Sequence, residues 1–282
     1  IDIHTVEMMV NEFPEALTTT HREEIIELHV YPESITPFYA LLMNSDVDNM
    51  FEIVKYFIEN NLPGLDLTDN YHRPPLDIAC ANKSMDLEVV QLLLNTWPES
   101  TQVFEGRDSF ERTCALHTLC ERRGEDWGSE HVEVDDAAAV RILRLLVEAD
   151  PDLVQWRASE GDFYPLHSAA LTNESPAFCK ILIDAYPDSV KENVPYGTPL
   201  YNAVKQNVPY GMPLYNACIH RPTNRLDTVR YLFDVYPEAI ELVQRATGKT
   251  PLECALSNQE KRVSEQSEEN KQENEKVISF LE

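Results

Sequence analysis

Three residues able to bind a metal or act as a nucleophile lie close together in the stretch CALHTLC: Cys114, His117 and Cys120. Thiolate and imidazole are donors that zinc prefers, but a closed zinc site takes about four of them in a tetrahedron. On a helix, three-residue steps fan these side chains over roughly 120°, and no fourth ligand stands out nearby. SDVDNMFE (45–52) alternates carboxylates as a calcium loop does, yet lacks the loop's glycine and its closing glutamate. SEHVEVDD (129–136) could gather a divalent cation weakly, but it reads far better as a solvated acidic loop. His167 precedes Ser168, but neither G-x-S-x-G nor H-E-x-x-H occurs. With only 8 Gly in the chain, neither G-x-G-x-x-G nor G-x-x-x-x-G-K-[ST] is present. No catalytic, cofactor or metal set is complete. The expectation is a protein that is not an enzyme, with no cofactor and no small-molecule substrate.

Composition narrows the partners. Lys and Arg total 23 against 49 Asp and Glu, a formal net charge of −26. Such a field repels nucleic acid and anionic membrane surfaces. It favours another protein with a basic surface, besides keeping the chain in solution. No apolar run approaches the roughly 20 residues that span a bilayer. The opening IDIHTVEMMVNEF has no basic n-region and no apolar h-region, so it does not read as a secretory signal. Without an initiator Met, it reads as the start of a fragment or a processed form. Six Cys are scattered without a CxxC pair. That usage suits reduced, buried thiols and a cytoplasmic or nuclear setting.

The elements that must position these residues recur along the chain. One phrase appears as PLDIAC (75–80), ALHTLC (115–120), PLHSAA (165–170), PLYNAV (199–204), PLYNAC (213–218) and PLECAL (251–256), with TPFYALL (36–42) as a weaker copy. A second phrase follows as VVQLLLNTWPES (89–100), VRILRLLVEADPDLV (140–154), CKILIDAYPDSV (179–190) and VRYLFDVYPEAI (229–240). VEMMVNEFPEAL (6–17) is that second phrase alone, and EKVISFLE (275–282) is its first part. Each phrase reads as a short helix. In the first, Pro takes the first helical position, where its missing N–H costs nothing. Thr36, Thr198 and Thr250 precede it as N-caps. In the second, apolar residues three and four apart give a stripe, as in Val90, Leu93, Leu94 and Trp97. A Pro then stops the helix, because the residue before it avoids the α region. Neither helix can bury its face alone, but stacked pairs can. The anchors Phe38, Leu76 and Leu116 are spaced by 38 and 40 residues.

This pattern resembles the ankyrin-repeat family. The family's T-P-L-H-x-A is matched best by YPLHSAA, and its last four positions by ALHTLC. PDLV and PDSV stand where the family has A-D-V. His is replaced by Asp77, Tyr201, Tyr215 and Glu253, and the finger Gly fits well only in TGKTPL (247–252). Units run near 38 residues against about 33 for the family. Tetratricopeptide and HEAT-like helix pairs are the rival architectures, and they lack a recurring Pro-Leu-His start after an extended hairpin. The resemblance implies an all-α, ankyrin-like helical-repeat solenoid with short β-turn fingers, in which the motif His hydrogen-bonds between adjacent fingers.

The whole of 1–282 reads as one array, with a half repeat at 1–17 and repeats starting near 36, 74, 114, 164, 212 and 250. ERRGEDWGSEHVEVDD makes an acidic inserted loop at 121–136. TTTHREEIIELHVYPES (18–34) carries an alternating run, Ile26, Leu28 and Val30, that predicts a strand enlarging the first finger. Residues 257–276 are polar, either a solvated helix or a linker. The phrase NVPYG-x-PLYNA occurs twice, fourteen residues apart. Upstream spacing suits the first copy and downstream spacing the second, so 193–206 reads as a duplicated half repeat. The second copy is expected to pack in the stack, with Leu214 buried, and the first to protrude with Leu200.

Stacked helix pairs leave a concave face of fingers and inner helices, and the resemblance implies that partners bind there. The candidate protein-binding residues are Tyr71, His72, Arg73, Phe163, Tyr196, Tyr210 and Lys249, because aromatic and Arg side chains supply binding hot spots. Packing of the tyrosines between fingers is the competing explanation. The function expected is a non-catalytic interaction module or scaffold. The alternatives are a structural subunit of a larger assembly, or a metal-dependent regulator or enzyme built on 114–136. The register itself is testable. Leu116→Ala should lower unfolding free energy by about 2–5 kcal/mol, measured by chemical denaturation, and a loss below roughly 0.5 kcal/mol would place Leu116 outside the core.

Overall fold

Proline marks both the start and the stop of the helices. The computed structural model describes residues 3–18, 36–44, 47, 49–63, 65, 73–82, 84–102, 104–105, 112–121, 136–158, 163–172, 174–192, 225–243, 249–253, 255–256 and 268–282. The inner helices are α2 (Pro37–Met43), α4 (Pro75–Ala81), α6 (Ala115–Glu121) and α8 (Pro165–Leu171), each of 7 residues. Three begin on the predicted proline and α6 on the alanine in its place. The outer helices are α1 (Ile3–Glu12), α3 (Met50–Glu59), α5 (Leu87–Thr96), α7 (Asp136–Ala149), α9 (Pro176–Ala185) and α10 (Arg225–Val235). The last helix, α11 (Glu268–Leu281), starts seven residues before the expected Glu275 and takes in part of the polar segment 257–276.

The outer helices stop in a shared way. Trp97, Tyr186 and Tyr236 leave the α region ahead of their prolines, with φ/ψ of −131/77°, −140/86° and −141/79°. The chain does not become extended there. It winds one turn of 3-10 helix, at Pro98–Thr101, Pro187–Val190 and Pro237–Glu241, and likewise at Pro14–Thr18 and Pro151–Gln155. The backbone N–H groups of Ser100, Ser189 and Ala239 donate to the carbonyls of Trp97, Tyr186 and Tyr236 at 3.0–3.1 Å. This turn was not foreseen from sequence, where a proline simply ended each helix. α3 has no such proline at its end. It closes on Asn61 at φ 47°, a left-handed position that Asn tolerates. Leu62 N–H then donates to Phe57 O and Asn61 N–H to Ile58 O, both at 3.0 Å, completing a Schellman cap.

Contacts gather the described residues into two compact units, one ending at Asp150 and one beginning at Pro151. In the first, α2 packs on α4 and α4 on α6, while α3 packs on α5 and α5 on α7. Phe104–Glu105 pairs antiparallel with Arg112–Thr113, forming the finger ahead of α6. In the second unit α8 packs on α9, α9 on α10 and α10 on α11. Its first finger closes where Ala158 N–H donates to Phe163 O at 2.9 Å. Phe38, Leu76, Leu116 and Leu166, the anchors of the first phrase, are all buried. Ala79, Ala169 and Ala170 are fully buried too, so neighbouring backbones approach closely.

Caps follow sequence only in part. Thr36 precedes α2 as expected, but its side chain makes no cap bond, and its buried Oγ1 has no hydrogen-bond partner among the described residues. Thr250 does cap: its Oγ1 accepts from Glu253 N–H at 3.3 Å, and Glu253 Oε2 accepts from Thr250 N–H at 2.8 Å. This is a reciprocal capping box. Ser175 caps α9 through Phe178 N–H. Thr198, the strand expected within 18–34, the interior of the acidic loop at 122–135 and both copies of the doubled phrase lie outside the described residues.

Asn82 ties one repeat to the next. Its Nδ2 donates to Leu42 O at 2.9 Å and Asn44 O at 3.2 Å, and its Oδ1 accepts from Ser84 N–H at 3.0 Å. Asn82→Ala strands a buried carbonyl at the end of the neighbouring α2. We expect it to destabilise the protein by about 1–3 kcal/mol in urea denaturation, with Ser84→Ala, which keeps the backbone donor, nearly silent.

Candidate functional site

The inner helices carry the chemically capable side chains, and packing determines what those side chains can do. Asp77 occupies the motif-histidine position of α4, is fully buried, and accepts a hydrogen bond from the Thr118 hydroxyl of α6. His117 holds that position on α6 and sits 3.3 Å from Cys114 through Nδ1 and Sγ. Burial pushes the Cys114 thiol up to about 12, and the Asp77 carboxylate adds in the same direction. A thiol so held stays protonated and is a poor nucleophile near neutral pH. Among the described residues, no three His, Cys, Asp or Glu side chains are grouped to hold a metal ion. Burial also pushes the Cys179 thiol well above its ordinary value, with Glu174 contributing.

In the second unit, His167 is enclosed completely. Its Nε2–H donates to Glu192 O at 2.9 Å, joining α8 to the backbone just past the 3-10 turn that follows α9. Burial pushes its pKa down to about 4, and the Arg157 guanidinium acts in the same direction, so the ring is neutral at pH 7. Around it stands an aromatic and charged cluster. Arg157 donates to Tyr164 OH at 2.8 Å and lies 4.7 Å over the Tyr164 ring. Tyr186 OH donates to Glu192 Oε1 at 3.2 Å, and Arg157 approaches Glu192 Oε2 at 3.9 Å. Glu192 is therefore held through both its carbonyl and its carboxylate.

The predicted surface residues divide sharply. Phe163 is not on the surface: it is 5% exposed, packs with Tyr164 and Tyr186, and stacks on His167 with centroids 6.0 Å apart. It is a core residue, because the finger closes onto the start of α8 and carries the ring inward. Arg73, in the first unit, is half-buried, and its carbonyl accepts from Tyr39 OH at 3.2 Å. Lys249, in the second, is half-buried beside Thr250. Tyr71, His72, Tyr196 and Tyr210 lie outside the described residues. Sequence reading missed Arg157 and Tyr186. The available signal was the run PDLVQWR, which places Trp and Arg at the start of a finger.

Comparison with known proteins places the fold. No family model matches the chain, and no curated protein matches it. Among solved structures it is similar to the crystal structure of EF0377, an ankyrin-repeat protein, with a TM-score of 0.53 at 13% identity, over 86% of this chain and 95% of that one. The fold is the ankyrin-like helical repeat, all-α with short fingers. No helix among the described residues is long and apolar enough to cross a membrane.

The buried imidazole makes stability depend on pH. The folded pKa of His167, about 4, lies below its ordinary 6.5, so the unfolded chain takes the proton first. The associated stability is present above pH 6.5 and is lost as pH falls toward 4. Across that window the wild type should lose roughly 3 kcal/mol relative to His167→Gln. Urea midpoints at stepped pH read this directly, and parallel curves for the two proteins would refute it.

Proposed function

We propose that this protein is a non-catalytic interaction module that binds a partner protein through its fingers and inner-helix surface. One observation carries the reading: the side chains in and beside the inner helices that could do chemistry are buried and engaged by other groups of the chain. Asp77 is taken by Thr118, His167 by Glu192, and Cys114 is buried against His117. What such a stack offers a partner is the surface of its fingers. The ankyrin-like fold supports a protein-binding role in general. The formal charge of −26 favours a partner with a basic surface and disfavours nucleic acid. The buried Cys80, Cys114, Cys120 and Cys179 suit a reducing, intracellular setting.

Tyr71, His72, Arg73, Tyr196, Tyr210 and Lys249 remain the assigned contact residues, with Phe163 withdrawn. Affinity capture followed by mass spectrometry, with wild type against Tyr196→Ala/Tyr210→Ala and against Arg73→Ala/Lys249→Ala, tests the assignment. Partners held by the wild type should be lost or reduced several-fold in at least one variant that keeps the wild-type circular dichroism. Identical partner sets in all three would overturn the finger assignment.

A further inference from the structure

The outer helices α9 and α10 end in the same register, fifty residues apart, but present different surfaces. At the end of α9 the carboxylates are neutralised: Lys180 holds Asp184 at 2.7 Å and Lys191 holds Asp188 at 3.2 Å. Ala185 precedes Tyr186, and Glu192 follows the turn, clamped by Tyr186 and Arg157. At the end of α10 the same carboxylate positions recur as Asp234 and Glu238, both exposed. Their cations do not recur. Arg230 stands where Lys180 stands, but its guanidinium lies 5.4 Å over the Phe280 ring of α11. Glu241 takes the place of Lys191, turning a neutralising charge into a third carboxylate. Among the described residues none of Asp234, Glu238 and Glu241 makes an ion pair.

Along the same stretch the small and polar positions have become aliphatic. Val235, in place of Ala185, is 39% exposed; Leu242, in place of Glu192, is 39% exposed; Val243 is 50% exposed. They lie on one tightly wound stretch. Tyr236 N–H donates to Leu232 O, Ala239 N–H to Tyr236 O and Leu242 N–H to Ala239 O, at 3.0–3.3 Å, so the last turn of α10 and the 3-10 turn are packed together.

We propose that this end of α10 is a second docking surface, for a segment of another protein that carries Lys or Arg beside aliphatic residues. Burying Val235, Leu242 and Val243 supplies the apolar contact, and the three uncompensated carboxylates pair with the cations and steer the approach. A second copy of this chain is disfavoured as occupant, because it brings a further −26 of like charge. None of Val235, Leu242 and Val243 is among the residues assigned to the fingers, so the variants below test this surface without touching that assignment.

The test uses the whole chain and a short synthetic helical peptide of Lys and Leu, with a Lys/Ser and a Glu/Leu peptide as comparisons, titrated by fluorescence anisotropy at physiological ionic strength. The Lys/Leu peptide should bind roughly tenfold or more tighter than either comparison. Leu242→Ser/Val243→Ser and Glu238→Lys/Glu241→Lys should each weaken it by about as much. Glu52→Lys/Glu59→Lys on α3 makes the same change in net charge and should leave binding unchanged. Equal binding of the Lys/Ser peptide, or equal weakening by the α3 variant, reduces the effect to net charge and overturns the proposal. So does sedimentation showing a dimer of this chain that Leu242→Ser/Val243→Ser dissociates, since the occupant is then a second copy.

Discussion

A helix of seven residues loses more conformational freedom than its few internal hydrogen bonds return, and four of the helices here are that short. They persist because neighbours complete them. Asn82 bonds the last carbonyls of the preceding inner helix, Tyr39 bonds the Arg73 carbonyl ahead of the next one, and Asp77 accepts from Thr118 on the one after that. In the second unit Thr228 on α10 bonds the Glu174 carbonyl ahead of α9 at 2.7 Å, and His167 bonds Glu192. Each link joins a side chain to a group at least 25 residues away. Local propensity does not decide these helices; contact between repeats does.

That dependence limits what chemistry the chain retains. A Cys beside a His, with a carboxylate near, has the composition of a nucleophilic site. Here the thiol is pushed up by burial, and the carboxylate raises it further instead of activating it. The imidazole of His167 is held neutral by the same exclusion of water. Groups that would be reactive at a surface become connectors inside a stack. In the proposed reading, binding falls to the fingers and to the end of α10.

The periodic features were legible because they follow from short-range rules. Proline at the first helical position, proline after the outer helix and an apolar stripe between them were enough to find most of the described helices, but not α3, which lacks the closing proline and was not read from the sequence. Phe163 was misjudged because fingers read as exposed, whereas the hairpin closing at Ala158 turns this ring onto His167. Thr36 has the right type and place for a cap, yet its hydroxyl makes no bond to the helix N–H groups. The 3-10 turns after the outer helices were invisible because proline forbids the preceding residue's α conformation without dictating what comes next.

By itself, then, the sequence determined the repeat: its phrases, its helix starts and stops, its acidic charge and the want of any complete catalytic motif. Those properties reside in single residues or near neighbours, where steric exclusion and side-chain spacing act. Tertiary structure alone decided which polar side chains became connectors, which aromatic ring left the surface, and which of two equivalent helix ends kept its carboxylates uncompensated. Arg230 shows why. Its sequence position matches that of Lys180, but a ring from α11 lies within reach, and the cation follows that contact instead of the carboxylate four residues away.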